Sequence, residues 1–104
     1  MSIFGYLTGT NKRNNLRNLI EEGAIIIDIR DSKSYLRGHV VGARNIPGDL
    51  MLSRIDEFKQ KAKAIILYGA KKKDADALTK SLKEKGLIVF NGGSIGQMQI
   101  IAMR

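Results

Sequence analysis

The stretch AIIIDI over residues 24–29 decides the fold class of this chain. Its isoleucines leave no polar face, which is typical of a central strand covered on both sides of a parallel sheet. Two similar runs follow, AIILY over residues 64–68 and LIVF over residues 87–90. Asp28 interrupts the first run. A carboxylate at the end of a buried strand indicates either a functional site or a buried partner.

Helical patterns alternate with these strands. The spacing of apolar residues predicts helices over residues 12–22, 32–37, 49–60, 74–85 and 95–103. Thr10 or Asn11 can cap the first helix, residues 40–46 form a loop or a short strand, and Asn91-Gly92-Gly93 is predicted to be a turn. This alternation predicts an α/β fold with a small central parallel sheet of four or five strands, flanked by helices on both faces.

Length and composition limit the function. The chain has 104 residues, which predicts one domain over residues 1–104, with residues 1–10 as a loosely ordered N-terminal segment. It has no cysteine and one histidine, His39. A disulfide, a thiolate metal site and a thiol nucleophile are therefore excluded, and we expect neither a metal nor a cofactor. The formal charge of +8 attracts anionic partners, although a solvated, lysine-rich surface also accounts for it.

No apolar run approaches the roughly 20 residues needed to span a bilayer. The apolar start, residues 1–9, is too short for the core of a secretory signal, and its basic residues follow it rather than precede it. We therefore expect a cytoplasmic protein without a membrane span. A surface anchor made of this start with Lys12 and Arg13 is the alternative.

The predicted sheet also indicates where a ligand would bind. In open parallel sheets ligands lie beyond the carboxyl ends of the strands. Three segments meet that condition: Arg30 and its neighbours, the stretch after Tyr68, and Asn91-Gly92-Gly93. This choice depends on the alternation of strands and helices alone.

Two motifs make the chain resemble a known family. Residues 27–30 are IDIR, Tyr35 follows, and residues 38–47 are GHVVGARNIP. This resembles the rhodanese-like family, in which a strand ending in Asp-x-Arg precedes Gly-His-(Ile/Val)-x-Gly-Ala-x-Asn-(Ile/Val)-Pro. The motif positions with a structural role are Tyr35, Gly38, His39, Gly42, Ala43, Asn45 and Pro47. The resemblance covers residues 12–103 and implies the family's three-layer fold.

The resemblance also implies a site after the strand at residues 64–68. Members of the family carry a catalytic cysteine there, on a loop whose backbone amides face an anionic sulfur group. The implied ligand-binding loop is Gly69, Ala70, Lys71, Lys72, Lys73 and Asp74, and the candidate pocket-lining residues are Asp28, Arg30, Gly92 and Gly93. Gly69 stands at the nucleophile position, Asp74 where the family commonly has arginine, and Gln97 where it often has tryptophan. No catalytic residue is therefore assigned.

Three functions remain open. The first is a non-catalytic rhodanese-like module that binds an anionic ligand or a partner protein through the former active-site loop. The second is a thiosulfate or persulfide sulfurtransferase, which requires that Gly69 is not native or that a partner supplies the thiol. The third is a basic adaptor for nucleic acid or an acidic protein, for which a face of Arg13, Arg17, Lys59, Lys61, Lys63, Lys80, Lys83 and Lys85 is available. Dedicated nucleic-acid recognition is not expected, because no stacking aromatic residues accompany these charges. The oligomeric state is left open.

Each candidate side chain also has a plainer interpretation. Asp28 and Arg30 can simply pair with each other, and His39 can fix its own loop. The three lysines at 71–73 can be solvated, since Asp74 and Asp76 partly neutralise them. Ser94 lacks a spare histidine to act as its base, so a serine hydrolase is rejected.

Overall fold

The computed structural model describes residues 12–103. Within that range the strands are β1 (Ile25–Asp28), β2 (Arg44–Asn45), β3 (Ile65–Gly69) and β4 (Val89–Ser94). The helices are α1 (Lys12–Glu21), α2 (Ser32–Arg37), α3 (Gly48–Met51), α4 (Ile55–Lys61), α5 (Lys72–Glu84) and α6 (Ile95–Ala102), and a 3₁₀ turn, Leu52–Arg54, joins α3 to α4. The predicted N-terminal segment and the caps Thr10 and Asn11 lie outside the described residues.

The four strands form one parallel sheet in the order β2-β1-β3-β4. Asp28 of β1 lies in register with Asn45 of β2 on one side and with Tyr68 of β3 on the other. All four carboxyl ends therefore meet at one edge of the sheet. The predicted α/β fold with a small central parallel sheet is confirmed, with four strands in the described range.

Alternate side chains of the strands enter two separate apolar clusters, one on each face of the sheet. The first cluster is Leu16, Leu19, Ile26, Val40, Ala43, Ile66, Tyr68, Met98 and Ile101. The second is Ile27, Ile46, Met51, Phe58, Ile65, Leu67, Ala75, Leu82, Leu87 and Val89. Helices α1, α2 and α6 thus cover the first face, and α3, α4 and α5 cover the second, which gives three layers.

The helix at the start of the described chain packs beside the helix at its end. Contacts between α1 and α6 close the first face, and Arg17 Nε donates a hydrogen bond to the Ile101 carbonyl at 3.2 Å. In residues 12–103, no helix is both long enough and apolar enough to cross a membrane.

The predicted helix over residues 49–60 is interrupted. It forms as α3, a 3₁₀ turn and α4, rather than as one continuous helix. Ser53 Oγ donates to the Leu50 carbonyl at 2.6 Å, so a side chain engages an acceptor at the point where the helix tightens. Serine competes in this way for helical carbonyl groups, which explains why apolar spacing alone predicted a longer helix.

The predicted turn at Asn91-Gly92-Gly93 is wrong, since these residues continue β4 to Ser94. The pairing of β3 with β4 shifts register between Leu67 and Gly69, and Gly93 has φ +91°. A bulge that uses glycine explains the difference, because such an irregularity needs the same residue types as a turn.

Gly92 gives a test of the packing on the first face. A Cβ placed on Gly92 would lie 2.5 Å from Met98 Sδ and 2.9 Å from Ile66 Cγ2. We expect Gly92→Ala to lower the free energy of unfolding by about 1–3 kcal/mol, because overpacking a tight core displaces its neighbours. Urea unfolding followed by circular dichroism measures the change.

Gly96→Ala is the matched control. The nearest atom to a Cβ at Gly96 is Ser94 Oγ at 3.9 Å, and Gly96 lies inside α6. Alanine there should leave stability unchanged or raise it by up to about 1 kcal/mol, since glycine is a poor helix former. Equal losses in the two variants would contradict the packing assigned to Gly92.

Candidate functional site

A buried carboxylate lies where the central strands end. Asp28 has 0% of its surface exposed. Its Oδ2 accepts hydrogen bonds from the Tyr68 hydroxyl at 2.7 Å and from Arg30 Nη2 at 2.7 Å. Its Oδ1 accepts from the Arg30 backbone N–H at 2.9 Å and from Arg30 Nε at 3.0 Å. Such full pairing is what a buried charge requires, and it favours the structural interpretation of Asp28 and Arg30.

The same groups hold the segment that carries the second motif. The Val40 N–H donates to the Tyr68 hydroxyl at 3.0 Å, and Arg30 Nη2 donates to the Gly38 carbonyl at 2.6 Å. Tyr68 and Arg30 therefore each join Asp28 to residues 38–40. The guanidinium of Arg30 is engaged by these bonds on the side that faces the protein.

Other motif residues make internal bonds as well. Asn45 Nδ2 donates to the carbonyls of Asp28 at 3.0 Å and Arg30 at 2.9 Å, and the Tyr35 hydroxyl donates to the Ala43 carbonyl at 2.6 Å. The His39 ring stacks on Tyr35 at 3.8 Å between centroids. His39 Nδ1 lies 2.9 Å from the Tyr35 carbonyl oxygen. These contacts fix the backbone after β1.

The two side chains that donate to Asp28 both have raised pKa values. Burial raises the pKa of the Tyr68 hydroxyl above its ordinary value, and the hydrogen bond to Asp28 acts in the same sense. The hydrogen bond to Asp28 likewise raises the pKa of the Arg30 guanidinium. Both donors therefore keep their protons at neutral pH, and neither is available as a general base.

The segment after β3 differs from its prediction. Gly69 is the last residue of β3, and α5 begins at Lys72, two residues before the predicted start at Asp74. Only Ala70 and Lys71 lie between the strand and the helix. Lys72 and Lys73 therefore belong to the first turn of α5. The cause is Asp74, which caps the helix from its third position and so allows it to begin early.

Asp74 also occupies the space in front of Gly69. Its Oδ2 accepts the Lys71 N–H at 2.9 Å. A Cβ placed on Gly69 would lie 3.0 Å from Asp74 Cβ and 3.5 Å from Asp74 Oδ2. The Asp74 carboxylate thus lies beside Gly69 and accepts a hydrogen bond from the Lys71 backbone amide. The side chains at 70–73 are exposed.

Asn91 links β4 to the same place, a role that sequence reasoning missed. Its Nδ2 donates to the Lys72 carbonyl at 3.1 Å and to Asp76 Oδ1 at 2.6 Å, and its Oδ1 accepts the Gly93 N–H at 2.8 Å. From the sequence, Asn91 is placed in a predicted turn beside the site and is given no bond to the helix after β3. Its position directly before two glycines was the available signal, because a bulge needs a side chain to replace the missing ladder bonds.

The remaining candidates serve helix α6. Ser94 Oγ accepts the Gln97 N–H at 3.2 Å, and Gln97 Oε1 accepts the Ser94 N–H at 3.1 Å. This reciprocal pair is a capping box. A Cβ on Gly93 would collide with Gln97 Oε1. Ser94 and Gln97 are thus accounted for by the helix start, with Gln97 lying over Gly93.

Comparison with known proteins supports this description. The model of the family described as "Rhodanese-like domain" matches residues 12–95. The solved rhodanese-like domain of the Alr3790 protein from Anabaena sp. is 26% identical with a TM-score of 0.64, and the match covers 86% of this chain and 94% of that one. No curated protein sequence matches the chain.

Two larger proteins contain a similar unit. Reduced CoADR-RHD from Bacillus anthracis has a TM-score of 0.70 at 23% identity, which shows a shared fold, and the match covers 86% of this chain but 16% of that one. A variant of EanB, solved as a cysteine persulfide in a tetrahedral intermediate state with ergothioneine, is 27% identical with a TM-score of 0.59. That match covers 75% of this chain and 22% of EanB.

Tyr68→Phe tests the buried junction. The variant removes one donor from the Asp28 carboxylate and the acceptor of the Val40 N–H, so we expect a loss of about 1–3 kcal/mol in the free energy of unfolding at pH 7. Because the pKa of Tyr68 is higher in the folded chain than in the unfolded chain, it contributes stability that is complete below the ordinary tyrosine pKa of about 10. This stability is lost progressively as the pH rises from there through the pKa of the folded state. The difference between wild type and variant should therefore narrow at pH 11.

Urea unfolding at pH 7 and pH 11 measures both quantities. Tyr35→Phe is the control, because it removes a single hydrogen bond to a neutral carbonyl and should cost only about 0.5–1.5 kcal/mol. A Tyr68→Phe variant as stable as wild type at pH 7 would contradict the role of this hydroxyl. So would a difference in free energy of unfolding between the two proteins that is the same at pH 11 as at pH 7.

Proposed function

This chain belongs to the rhodanese-like domain family, and on that premise we propose that it is a non-catalytic member that acts as a binding or regulatory module through residues Gly69–Asp74. The observation that carries the proposal is Gly69, with the Asp74 carboxylate against it. In the family this position bears a cysteine that attacks the sulfur donor and carries the transferred sulfur atom as a persulfide. The sequence holds no cysteine with which to replace it.

The chemistry explains why these two changes act together. Sulfur transfer requires a thiolate, and a thiolate is stabilised by backbone amides and positive charge. Here the Lys71 amide already binds the Asp74 carboxylate. A negative group in that place opposes both a thiolate and the anionic substrate that would approach it. Restoring sulfur alone would therefore not restore a favourable site.

The ligand follows from the same geometry. A free anion would have to displace Asp74 from the Lys71 amide. A partner protein can instead contact the exposed side chains of residues 70–73 and leave that hydrogen bond in place. The exposed residues Ala70, Lys71, Lys72 and Lys73 form a small basic surface beside the first turn of α5. We therefore favour a partner protein with an acidic surface over a small anion as the ligand of this loop.

A sulfurtransferase is the alternative, and it needs a thiol from another molecule. EanB, part of which is similar to this chain, carries a cysteine persulfide in its solved structure. Thiosulfate:cyanide sulfur transfer distinguishes the two functions. We expect no turnover from the unmodified chain, and turnover by this chain alone would overturn the proposal.

Two variants separate the effect of the missing thiol from that of Asp74. We expect the thiol of Gly69→Cys to have a pKa above the ordinary value of about 8.5, because the Asp74 carboxylate faces it. In Gly69→Cys/Asp74→Asn the pKa should be lower by about one unit or more, since the amide keeps the hydrogen bond to Lys71 without the charge. The rate of iodoacetamide alkylation against pH measures both values.

Ala70→Cys is the matched control, since Ala70 is exposed and neighbours Gly69. Adding Asp74→Asn to this control should change its thiol pKa less than in the Gly69 pair. Equal pKa values in Gly69→Cys with and without Asp74→Asn would show that the carboxylate does not govern this position.

Sulfate binding tests whether Asp74 blocks the Lys71 amide from binding a free anion. We expect wild type to show weak or no sulfate binding at Lys71, and Asp74→Asn to bind sulfate more tightly, by about tenfold for each 1.4 kcal/mol of repulsion that is removed. Amide chemical shifts at 69–72 during a sulfate titration measure both affinities. Wild type binding sulfate as well as the variant would favour a small anion as the ligand.

A further inference from the structure

A second surface lies at the opposite end of the sheet from Gly69. It is a groove of about 330 Å³ lined by Phe58, Lys59, Ala62, Lys63, Gly86, Leu87 and Ile88. Lys63 leads into β3 and Gly86 into β4, and the two strands run parallel, so both segments meet at the amino ends of the strands. The four residue steps from Ile65 to Gly69 place the two ends of β3 about 13 Å apart.

The groove is held together by the backbone. The Ile65 N–H donates to the Ile88 carbonyl at 2.8 Å, which joins its two sides. Ala62, with φ +52°, ends α4 and turns the chain toward β3. A Cβ placed on Gly86 would lie 3.7 Å from Lys59 Cε, so the Lys59 side chain extends across this glycine. Gly86 itself has φ +95°, a conformation that favours glycine, so the turn into β4 accounts for this residue.

The floor of the groove is apolar. Phe58 is 1% exposed and Leu87 is 7% exposed, whereas Ile88 is 43% exposed at the rim. Covering the exposed apolar surface of Ile88 with another apolar group would be favourable by about 25 cal/mol for each Å² removed from water. The shape and chemistry fit a single aliphatic side chain.

The rim is positively charged and lacks ion pairs. Lys59 and Lys63 line the groove, and Lys61, Lys83 and Lys85 lie nearby in the chain. The acids nearest to them in sequence are Glu84 on α5 and, in the first turn of α4, Asp56 and Glu57. Within the described part of the chain, none of these lysines forms an ion pair. Lys59, Lys61 and Lys83 stand in the last turns of α4 and α5, where cations favour the helix. Lys63 lies beyond the end of α4, so helix ends do not explain it.

We propose that this groove docks an acidic peptide segment of a partner protein, with one aliphatic side chain of the peptide against Ile88 and Leu87 and its carboxylates against Lys59 and Lys63. Charge complementarity selects the acidic partner, and the apolar floor selects a peptide over nucleic acid. Single-stranded nucleic acid binds by stacking bases on aromatic faces, and Phe58 is buried.

The structure also divides the basic face considered from the sequence. Arg13 and Arg17 stand on α1, which covers the first face of the sheet, whereas Lys59 and Lys63 belong to the layer on the second face. The charges therefore do not form one continuous surface for a nucleic-acid backbone. The groove is separate from Gly69–Asp74, so it does not depend on the proposed function of that segment.

The test uses a fluorescein-labelled peptide of one leucine flanked by glutamates, titrated into the full chain. We expect weak binding, with amide shifts in ¹⁵N NMR spectra centred on Ala62, Lys63, Gly86 and Ile88. Lys59→Gln/Lys63→Gln should weaken it about three- to tenfold, through the loss of two exposed ion pairs. Arg13→Gln/Lys33→Gln removes the same charge from other exposed sites and should change it little. Thermal melting confirms that each variant is folded.

A second peptide with alanine in place of leucine tests the apolar contact, as does Ile88→Ser in the chain. Both should weaken binding, and Ile88→Ser should abolish the difference between the two peptides. Equal losses in the two charge variants would reduce the effect to net charge and overturn the proposal. A 20-nucleotide single strand, or vesicles of anionic lipid, that bound the groove more tightly than the leucine peptide would overturn the peptide assignment.

Discussion

The buried carboxylate of Asp28 is the constraint on which the rest of the structure depends. A charge with no exposed surface at the end of a central strand must be satisfied from within, and Arg30, in the loop just after β1, and Tyr68 of β3 do so together. Because these two side chains also hold residues 38–40, the loop that returns to β2 is placed by the same bonds. The motif that identifies the family is thus chiefly a description of how one buried charge is paired.

The bonds around Asp28 are separate from the segment that follows β3. The hydrogen bonds to the Asp28 carboxylate come from Arg30 and Tyr68 and involve no group from Gly69–Asp74, so they do not depend on which residue stands at position 69. Asp74 accepts the Lys71 N–H and caps α5, so the connection ends at Lys71 and the helix begins at Lys72. In this chain the connection between β3 and α5 is short, and the Lys71 amide is satisfied from within it by Asp74.

The fold was largely predictable because the strands are nearly uniform in hydrophobicity. The runs at 24–29 and 64–68 have no polar face, and only a doubly covered parallel sheet accommodates two such runs with helices between them. The helix break at Ser53 and the strand through Gly92 and Gly93 were not predictable, since each depends on a hydrogen bond or a bulge that apolar spacing does not record. The position of Gly69 at the carboxyl end of a central strand followed from sequence, but the contact between Gly69 and Asp74 did not. It depends on where α5 begins, and a capping aspartate three residues into a helix was the one signal available.

The pairing of α1 with α6 has a consequence for how the protein is made. Arg17 and Ile101 are 84 positions apart, and their helices together cover one face of the sheet. During synthesis on the ribosome, that face is only partly covered until α6 has left the exit tunnel. The face built on α3, α4 and α5 uses contacts that are closer in sequence and is available earlier. Nascent chains stalled before residue 95 would therefore present the apolar surface of Ile26 and Ile66 to chaperones, whereas released chains would bury it.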